Sequence, residues 1–162
     1  MLARALTLAL VLPLAAACTD DTTTILAPAA SALTPSVAAA VDTALQDEFH
    51  AEQTYLRVIA DHGNVLPFFN VVVAEQRHSS SLAGVLDRRG LDVPASEWDL
   101  DNVPRFATVP EACAAAAGAE VANIAMYDRL LAAELPTDVR NVFTNNRRAS
   151  VERHLPAFTA CR

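Results

Sequence analysis

Apolar positions recur at three- and four-residue spacing in four separate runs of the chain, the mark of amphipathic helices. The first run opens with Thr34 as an N-cap and Pro35 at the first helical position. It carries Val41, Ala44, Leu45, Glu48, Tyr55 and Ile59 on one face and stops at Gly63. The second starts near Pro67, keeps Phe68, Val71, Val72, Glu75, His78, Leu82, Val85 and Leu86 in register, and ends at Gly90. Val71-Val72-Val73 is a local strand signal, outweighed by a period sustained along the whole run. The third runs from Pro110 to Glu134 and aligns Cys113, Ala117, Glu120, Ile124, Tyr127 and Leu131. The fourth follows Pro136 with Val139, Val142, Phe143, Ser150, His154 and Phe158.

Only a few residues separate the first run from the second and the third from the fourth, which predicts two antiparallel hairpins. Between Gly90 and Pro110 the chain passes Pro94, Trp98 and Pro104 without a period, and this stretch is long enough to cross the bundle. Two short turns around one long crossover predict an all-α fold, an antiparallel four-helix bundle of ferritin-like topology. The bundle is expected over residues 35–162.

The residues before it read differently. Arg4, the apolar run Leu6 to Leu14 and the small residues Ala15-Ala16-Ala17 follow the order of a secretory signal peptide, so residues 1–17 are expected to be a leader. Cys18 comes directly after them, which resembles the lipobox of bacterial lipoproteins, where that cysteine is lipidated; Ala15 departs from the larger aliphatic residue preferred there. The alternatives are simple secretion and an N-terminal membrane anchor, the latter disfavoured by the shortness of the apolar run. Residues 18–34, rich in Thr, Ala, Ser and Pro, read as a flexible tether. The expected location is therefore outside the cytoplasm, lipid-anchored in a bacterial envelope, or else secreted or periplasmic.

Composition narrows the partners. In 162 residues, 52% hydrophobic and 19% charged, a single globular domain fits and a long disordered chain does not. All 12 basic residues are arginine, and against 19 acids they leave a net charge of -7, which excludes the basic footprint of a nucleic-acid binder. Membrane contact is expected only through the lipid. Of three cysteines, Cys18 is set aside for lipidation, leaving Cys113 and Cys161. These lie at ends of the last two helices that meet in an antiparallel hairpin, so a disulfide is expected in an exported protein; the alternative is two free thiols.

Three acids stand on the wrong face. Glu48, Glu75 and Glu120 interrupt the apolar stripes of three helices, and His78 and His154 interrupt two. Burying an ionised carboxylate without a partner costs several kcal/mol, so three converging in one core require a cation. Arg57, Arg88, Arg89 and Arg140 fall at polar-face or helix-end positions, which leaves a metal as the economical answer. Glu75-x-x-His78 places a carboxylate and an imidazole on one helical face, a donor set that suits iron, manganese or zinc. The alternative is a Glu and a His at the edge of the core, satisfied by arginine or backbone. Glu48 and Tyr55 are seven residues apart, as are Glu120 and Tyr127, so each tyrosine is expected over its own glutamate's face, bonding a carboxylate or packing in the core.

These motifs resemble the rubrerythrin branch of the ferritin-like superfamily: Glu48-x-x-Ala51-x-x-x-Tyr55 its first-helix ligand motif, Glu75-x-x-His78 its second, and Glu120 with Met126-Tyr127 its third. The stretches DEFHAEQTYLRVI, PFFNVVVAEQRHSSSL and RASVERHLPAF are similar to a group of small, often exported bacterial ferritin-like proteins, and the resemblance covers about residues 37 to 161. It implies a glutamate from the first helix of each hairpin and Glu-x-x-His from each second helix, holding two iron or manganese ions, and a fold that often dimerises. The fourth motif departs: glutamate is expected at 151, where the chain has Val151 between Ser150 and Glu152.

The first expectation for function is an exported protein holding one or two ions, iron foremost, through Glu48, Glu75, His78, Glu120 and His154, with Tyr55 and Tyr127 behind them. Ferroxidase or peroxidase chemistry is the activity such a site would carry, with an external electron donor, because no CxxC pair is present for a rubredoxin-type iron centre. The second is a non-enzymatic envelope module with a degenerate site, favoured by Val151. A hydrolytic dyad of Ser79, Ser80 or Ser150 with a histidine lacks the strand-turn-helix elbow that such a serine needs. His50 is expected to face away from Glu48, His62 to serve a helix end, and Trp98 to plug one flank of the bundle.

Overall fold

A computed structural model describes residues 31–161; the leader, Cys18 and the tether up to residue 30 lie outside the described residues. Within them the protein is an all-α bundle with no strand: α1 (Pro35–His62), α2 (Phe68–Asp87), α3 (Val109–Leu131) and α4 (Thr137–Ala149), the last continuing through a π-helical turn (Ser150–His154) into α5 (Leu155–Ala160). None of these helices is long and apolar enough to cross a membrane.

The helix ends are set by identifiable bonds. The Thr34 hydroxyl accepts from the Val37 amide at 3.3 Å, and Gly63, at φ 83°, closes α1 by donating to the Ile59 carbonyl. That conformation favours glycine, which has no Cβ to clash. α2 stops at Asp87, short of Gly90; Gly90 (φ 65°) instead forms the turn in which the Leu91 amide returns to the Leu86 carbonyl. α3 begins at Val109 behind the Thr108 cap and ends at Leu131, short of the expected Glu134; the Arg140 guanidinium donates to the Leu131 and Ala133 carbonyls at this end. The π turn precedes Pro156, which has no N–H to donate and whose ring would crowd the carbonyl four residues back. The wider turn accommodates it, with the Leu155 amide bonding the Ser150 carbonyl five residues earlier.

Two apolar clusters fill the core. One gathers Val41, Leu45, Leu82, Val85, Met126, Tyr127, Val139 and Phe143. The other gathers Tyr55, Val58, Phe68, Val71, Val72, Ala112, Ala116 and Phe158. α1 and the α4–α5 rod pass from the first cluster to the second, whereas α2 and α3 pass from the second to the first. Between the clusters each helix contributes buried polar side chains, so a polar layer crosses the middle of the bundle. α1 packs along α2, and α3 along α4 and α5, while α1–α3 and α2–α4 contacts complete the assembly.

The crossover lies on α1. Gln46 grips it from both sides, donating to the Ala95 carbonyl and accepting from the Glu97 amide. Trp98 tilts against His50, with ring centroids 4.2 Å apart, and Arg105 makes two bonds to Asp61. His62 meets the Phe106 carbonyl at 3.0 Å, so its partner is the crossover as well as its own helix end.

Cys113 and Cys161 form a disulfide across a separation of 48 residues. Closing a loop of this size removes about 4 kcal/mol of entropy from the unfolded chain in the chain-entropy account. The double variant Cys113→Ser/Cys161→Ser is expected to lose about that much stability in urea denaturation. Reductant should lower the parent's midpoint and leave the double variant's unchanged.

Candidate metal centre

The polar layer brings side chains from every long helix to a common point. Glu48 comes from α1, Glu75 and His78 from α2, Glu120 from α3 and His154 from the end of the π turn. The three glutamates and His154 are at most 3% exposed, so this is a site inside the bundle and not on its surface. Ligand atoms of Glu75, His78 and His154 all lie within 4.8 Å of one another.

Glu75 is the shared element. Its Oε2 lies 2.9 Å from His78 Nδ1 and its Oε1 lies 3.1 Å from His154 Nδ1, so one carboxylate spans two imidazoles. Each imidazole also has a carboxylate of its own: His78 Nδ1 is 3.1 Å from Glu48 Oε2, and His154 Nδ1 is 3.6 Å from Glu120 Oε2. The rings stack with centroids 5.3 Å apart. His154 Nδ1 is close enough to pair with both carboxylates electrostatically, yet this buried nitrogen has no hydrogen bond with acceptable geometry, and Glu120 at 3.6 Å lies beyond hydrogen-bond distance. Among the described residues no arginine pairs with the three glutamates.

The tyrosines cross over. Tyr55 donates to Glu120 Oε1 at 2.8 Å, and Tyr127 donates to Glu48 Oε1 at 2.5 Å. Each phenol therefore serves the glutamate of the other half of the chain; spacing left a carboxylate bond and a place in the core both open, and did not say which carboxylate. The spacing of seven puts a tyrosine two turns beyond its own glutamate, so its hydroxyl reaches across the core to the facing helix. Burial, added to by the nearby carboxylates, raises both phenols well above their ordinary value and keeps them protonated donors.

The fourth helix carries the main surprise. Val151 is 38% exposed, whereas Ser150 is buried and faces the layer. The π turn leaves Ser150, and not residue 151, on the inward face one turn before His154. Ser150 Oγ donates to Asn123 Oδ1 at 2.8 Å, and Asn123 Nδ2 donates to Asp47 Oδ2 at 2.7 Å. A neutral Ser–Asn pair thus stands where the resemblance implies a fourth carboxylate. Asn146, also buried, donates to the Tyr127 hydroxyl at 3.1 Å. Sequence reasoning passed over Asn123, Asn146 and Asp47. Two of them carried a signal: Asn123 follows Glu120 by three, and Asn146, Ser150 and His154 are spaced by four.

The serines considered as nucleophiles bond elsewhere, Ser79 and Ser80 to the Gln76 carbonyl and Ser150 to Asn123. His50 faces Trp98 and the α1–α3 side of the bundle and is not bonded to the cluster.

The charges are paired within the cluster. Burial and the charge of Glu75 push Glu48 up to about 7. Burial also pushes Glu75 up, but His154, His78 and Glu48 outweigh it and hold Glu75 below the ordinary carboxylate value. Burial alone would lower both imidazoles; the adjacent carboxylates instead carry His78 to about 10 and His154 to about 9. Three carboxylates, two imidazoles and one unbonded buried nitrogen form a donor set that fits a divalent transition ion once the imidazole protons leave.

A cavity of about 350 Å³ lies between α1 and α3 and reaches this cluster, with Glu75 and Glu120 among its lining residues. Compared with known proteins, the chain matches no family model and no curated sequence. The fold and the cluster therefore carry the functional argument.

The raised imidazoles dictate a pH dependence for the metal-free protein. Between the ordinary histidine value of 6.5 and about 9 to 10, the folded state holds protons that the unfolded chain has released. Their stabilisation is complete below 6.5 and is lost as pH rises through the folded values. In chelator, the melting temperature is expected to fall steadily from pH 6.5 to 10; a flat or rising profile would contradict the pairing.

Proposed function

We propose that this protein is a ferritin-like metal protein that holds one or two transition ions, iron foremost and manganese or zinc as substitutes, through Glu48, Glu75, His78, Glu120 and His154. The observation that carries the reading is Glu75, one buried carboxylate shared by two imidazoles, one of which has an unbonded nitrogen. The order in which the helices visit the two apolar clusters supports two antiparallel hairpins joined by the crossover, as the ferritin-like topology requires. Each imidazole has a terminal glutamate and one oxygen of Glu75, so the donors divide into two similar groups of three.

Iron in such a site supplies one-electron chemistry with oxygen or peroxide. The chain's own contribution is to hold the donors on rigid helices, to anchor Glu48 and Glu120 through Tyr127 and Tyr55, and to exclude bulk water. Ferroxidase or peroxidase turnover with an external donor is the activity we assign. We place the protein outside the cytoplasm, tethered through lipid on Cys18, on the strength of its N-terminal sequence and in keeping with the Cys113–Cys161 disulfide. Homodimerisation is part of the same family reading.

A second reading rests on a specific observation. Ser150 and Asn123 put a neutral pair where the resemblance implies a carboxylate, and Glu48 and Glu75 are already bonded to His78. In this reading the layer is a structural module of the envelope whose metal affinity has been lost.

Metal analysis of protein purified without chelator separates the two. The metal-binding reading expects stoichiometric iron or manganese, absent from the Glu75→Ala variant. It also expects the melting temperature of the metal-free parent to rise with Fe(II), Mn(II) or Zn(II), by about 2.7 kcal/mol of stabilisation at a hundredfold excess over the dissociation constant. Binding should strengthen with pH because the imidazoles release protons to the solvent. No bound metal and no shift with any of the three ions would leave the structural module as the function.

A further inference from the structure

The cavity between α1 and α3 is larger than a metal site needs. Its volume of about 350 Å³ falls within the ~300–1,000 Å³ of small-molecule sites and is more than twice the ~150 Å³ that admits benzene. On the α3 side its wall is made of Ala115, Ala116, Ala119 and Ala122, and Ala51 faces it from α1. Phe106 of the crossover adds a ring. Glu75 and Glu120 lie at its inner end, and the α3 rim residues Ala115, Ala119 and Ala122 are exposed, so the cavity leads from the surface toward the buried cluster.

One buried polar atom in this lining has no hydrogen-bond partner among the described residues. Thr54 belongs to the wall, and its hydroxyl is the one buried side-chain oxygen among the described residues without a hydrogen bond. A buried hydroxyl left unbonded costs about 1–3 kcal/mol, so it gains by meeting a ligand atom. As placed, the oxygen is closed off from the cavity; rotation about χ1, between the two rotamers that helical threonine populates, exchanges methyl and hydroxyl and presents it to a ligand. Among the described residues the lining contains no arginine to pair with an anion, and its carboxyl groups already have partners: Asp47 accepts from Asn123, Glu120 from Tyr55, and Glu75 is bonded to His78 and lies beside His154 Nδ1.

We propose that this cavity binds a small uncharged molecule with an apolar body and one hydroxyl, of the phenol or short-alcohol class, its hydroxyl bonded to Thr54 and its far end beside Glu75 and Glu120. The assignment rests on the metal-centre reading only in setting the ligand beside an ion; the cavity itself needs none.

The test is chemical-shift titration of the full mature chain with p-cresol, toluene and p-toluate, in chelator and again with Zn(II). p-Cresol is expected to bind one to one in both conditions, with a dissociation constant on the order of 1 mM or tighter for a ligand of this size. Toluene should bind about fivefold more weakly, the worth of one hydrogen bond, and p-toluate not measurably. Thr54→Val should erase the difference between p-cresol and toluene, and Ala119→Phe, substituted at the exposed rim, should abolish binding of both without lowering the melting temperature. No binding of p-cresol in either condition, or p-toluate binding as well as p-cresol, overturns the proposal. p-Cresol binding without any Zn(II) binding would sink the metal centre and leave the pocket standing.

Discussion

The structure depends on the placement of charge in the middle of an apolar bundle. Three carboxylates that are almost fully buried would each cost several kcal/mol if left alone, and the two clusters of aliphatic and aromatic side chains above and below offer them no solvation. The cost is met locally by two imidazoles and two phenols whose positions along the helices are dictated by the carboxylates they serve. Each helix must therefore present its polar residues at the same level of the bundle. That requirement fixes helix register more sharply than aliphatic packing, which tolerates substitution of similar volume.

Within the layer the two halves of the chain repeat one pattern: a first-helix glutamate, a second-helix histidine and a phenol that crosses to the opposite glutamate. The crossed tyrosines link α1 to α3, the helix pair between which the alanine-lined cavity lies. The pattern is broken at one position, where α2 supplies Glu75 and the fourth helix supplies Ser150. Pro156 and the π turn before it decide which residue fills that position. The exposed Val151 shows that a glutamate there would point to solvent in this backbone, so the absence of a fourth carboxylate is a property of the turn as much as of the residue.

Periodicity made the four helical runs legible, and caps such as Thr34, Pro35 and Gly63 located their ends to within a few residues. The convergence of Glu48, Glu75, His78, Glu120 and His154 was legible for a physical reason: ionisable side chains on an apolar stripe are expensive, and their cost marks them. Asn123 and Asn146 escaped because a neutral amide in a helical run has no comparable penalty to announce it, and only its partners reveal its place. The π turn escaped because a 3.6-residue period assumes an unbroken helix; Pro156 was the local sign that the assumption fails. The crossing of the tyrosines was hidden for a third reason. Spacing within a helix reports which residues share a face and is silent on how far a side chain reaches toward its neighbour.

The alanines of α3 bear on how the layer should be understood. A polar layer whose sole task was to hold helices in register would be more stable behind larger side chains, since each further buried methylene contributes about 0.8 kcal/mol. Elsewhere the bundle follows that rule, with Phe68, Phe143, Phe158 and Tyr127 filling the space between helices. Opposite α1, however, α3 presents alanines at 115, 116, 119 and 122, and the space they leave runs from the exposed rim to Glu75 and Glu120. On the α1–α3 side the approach to Glu75 and Glu120 is thus bounded by small side chains, where bulkier ones would close it.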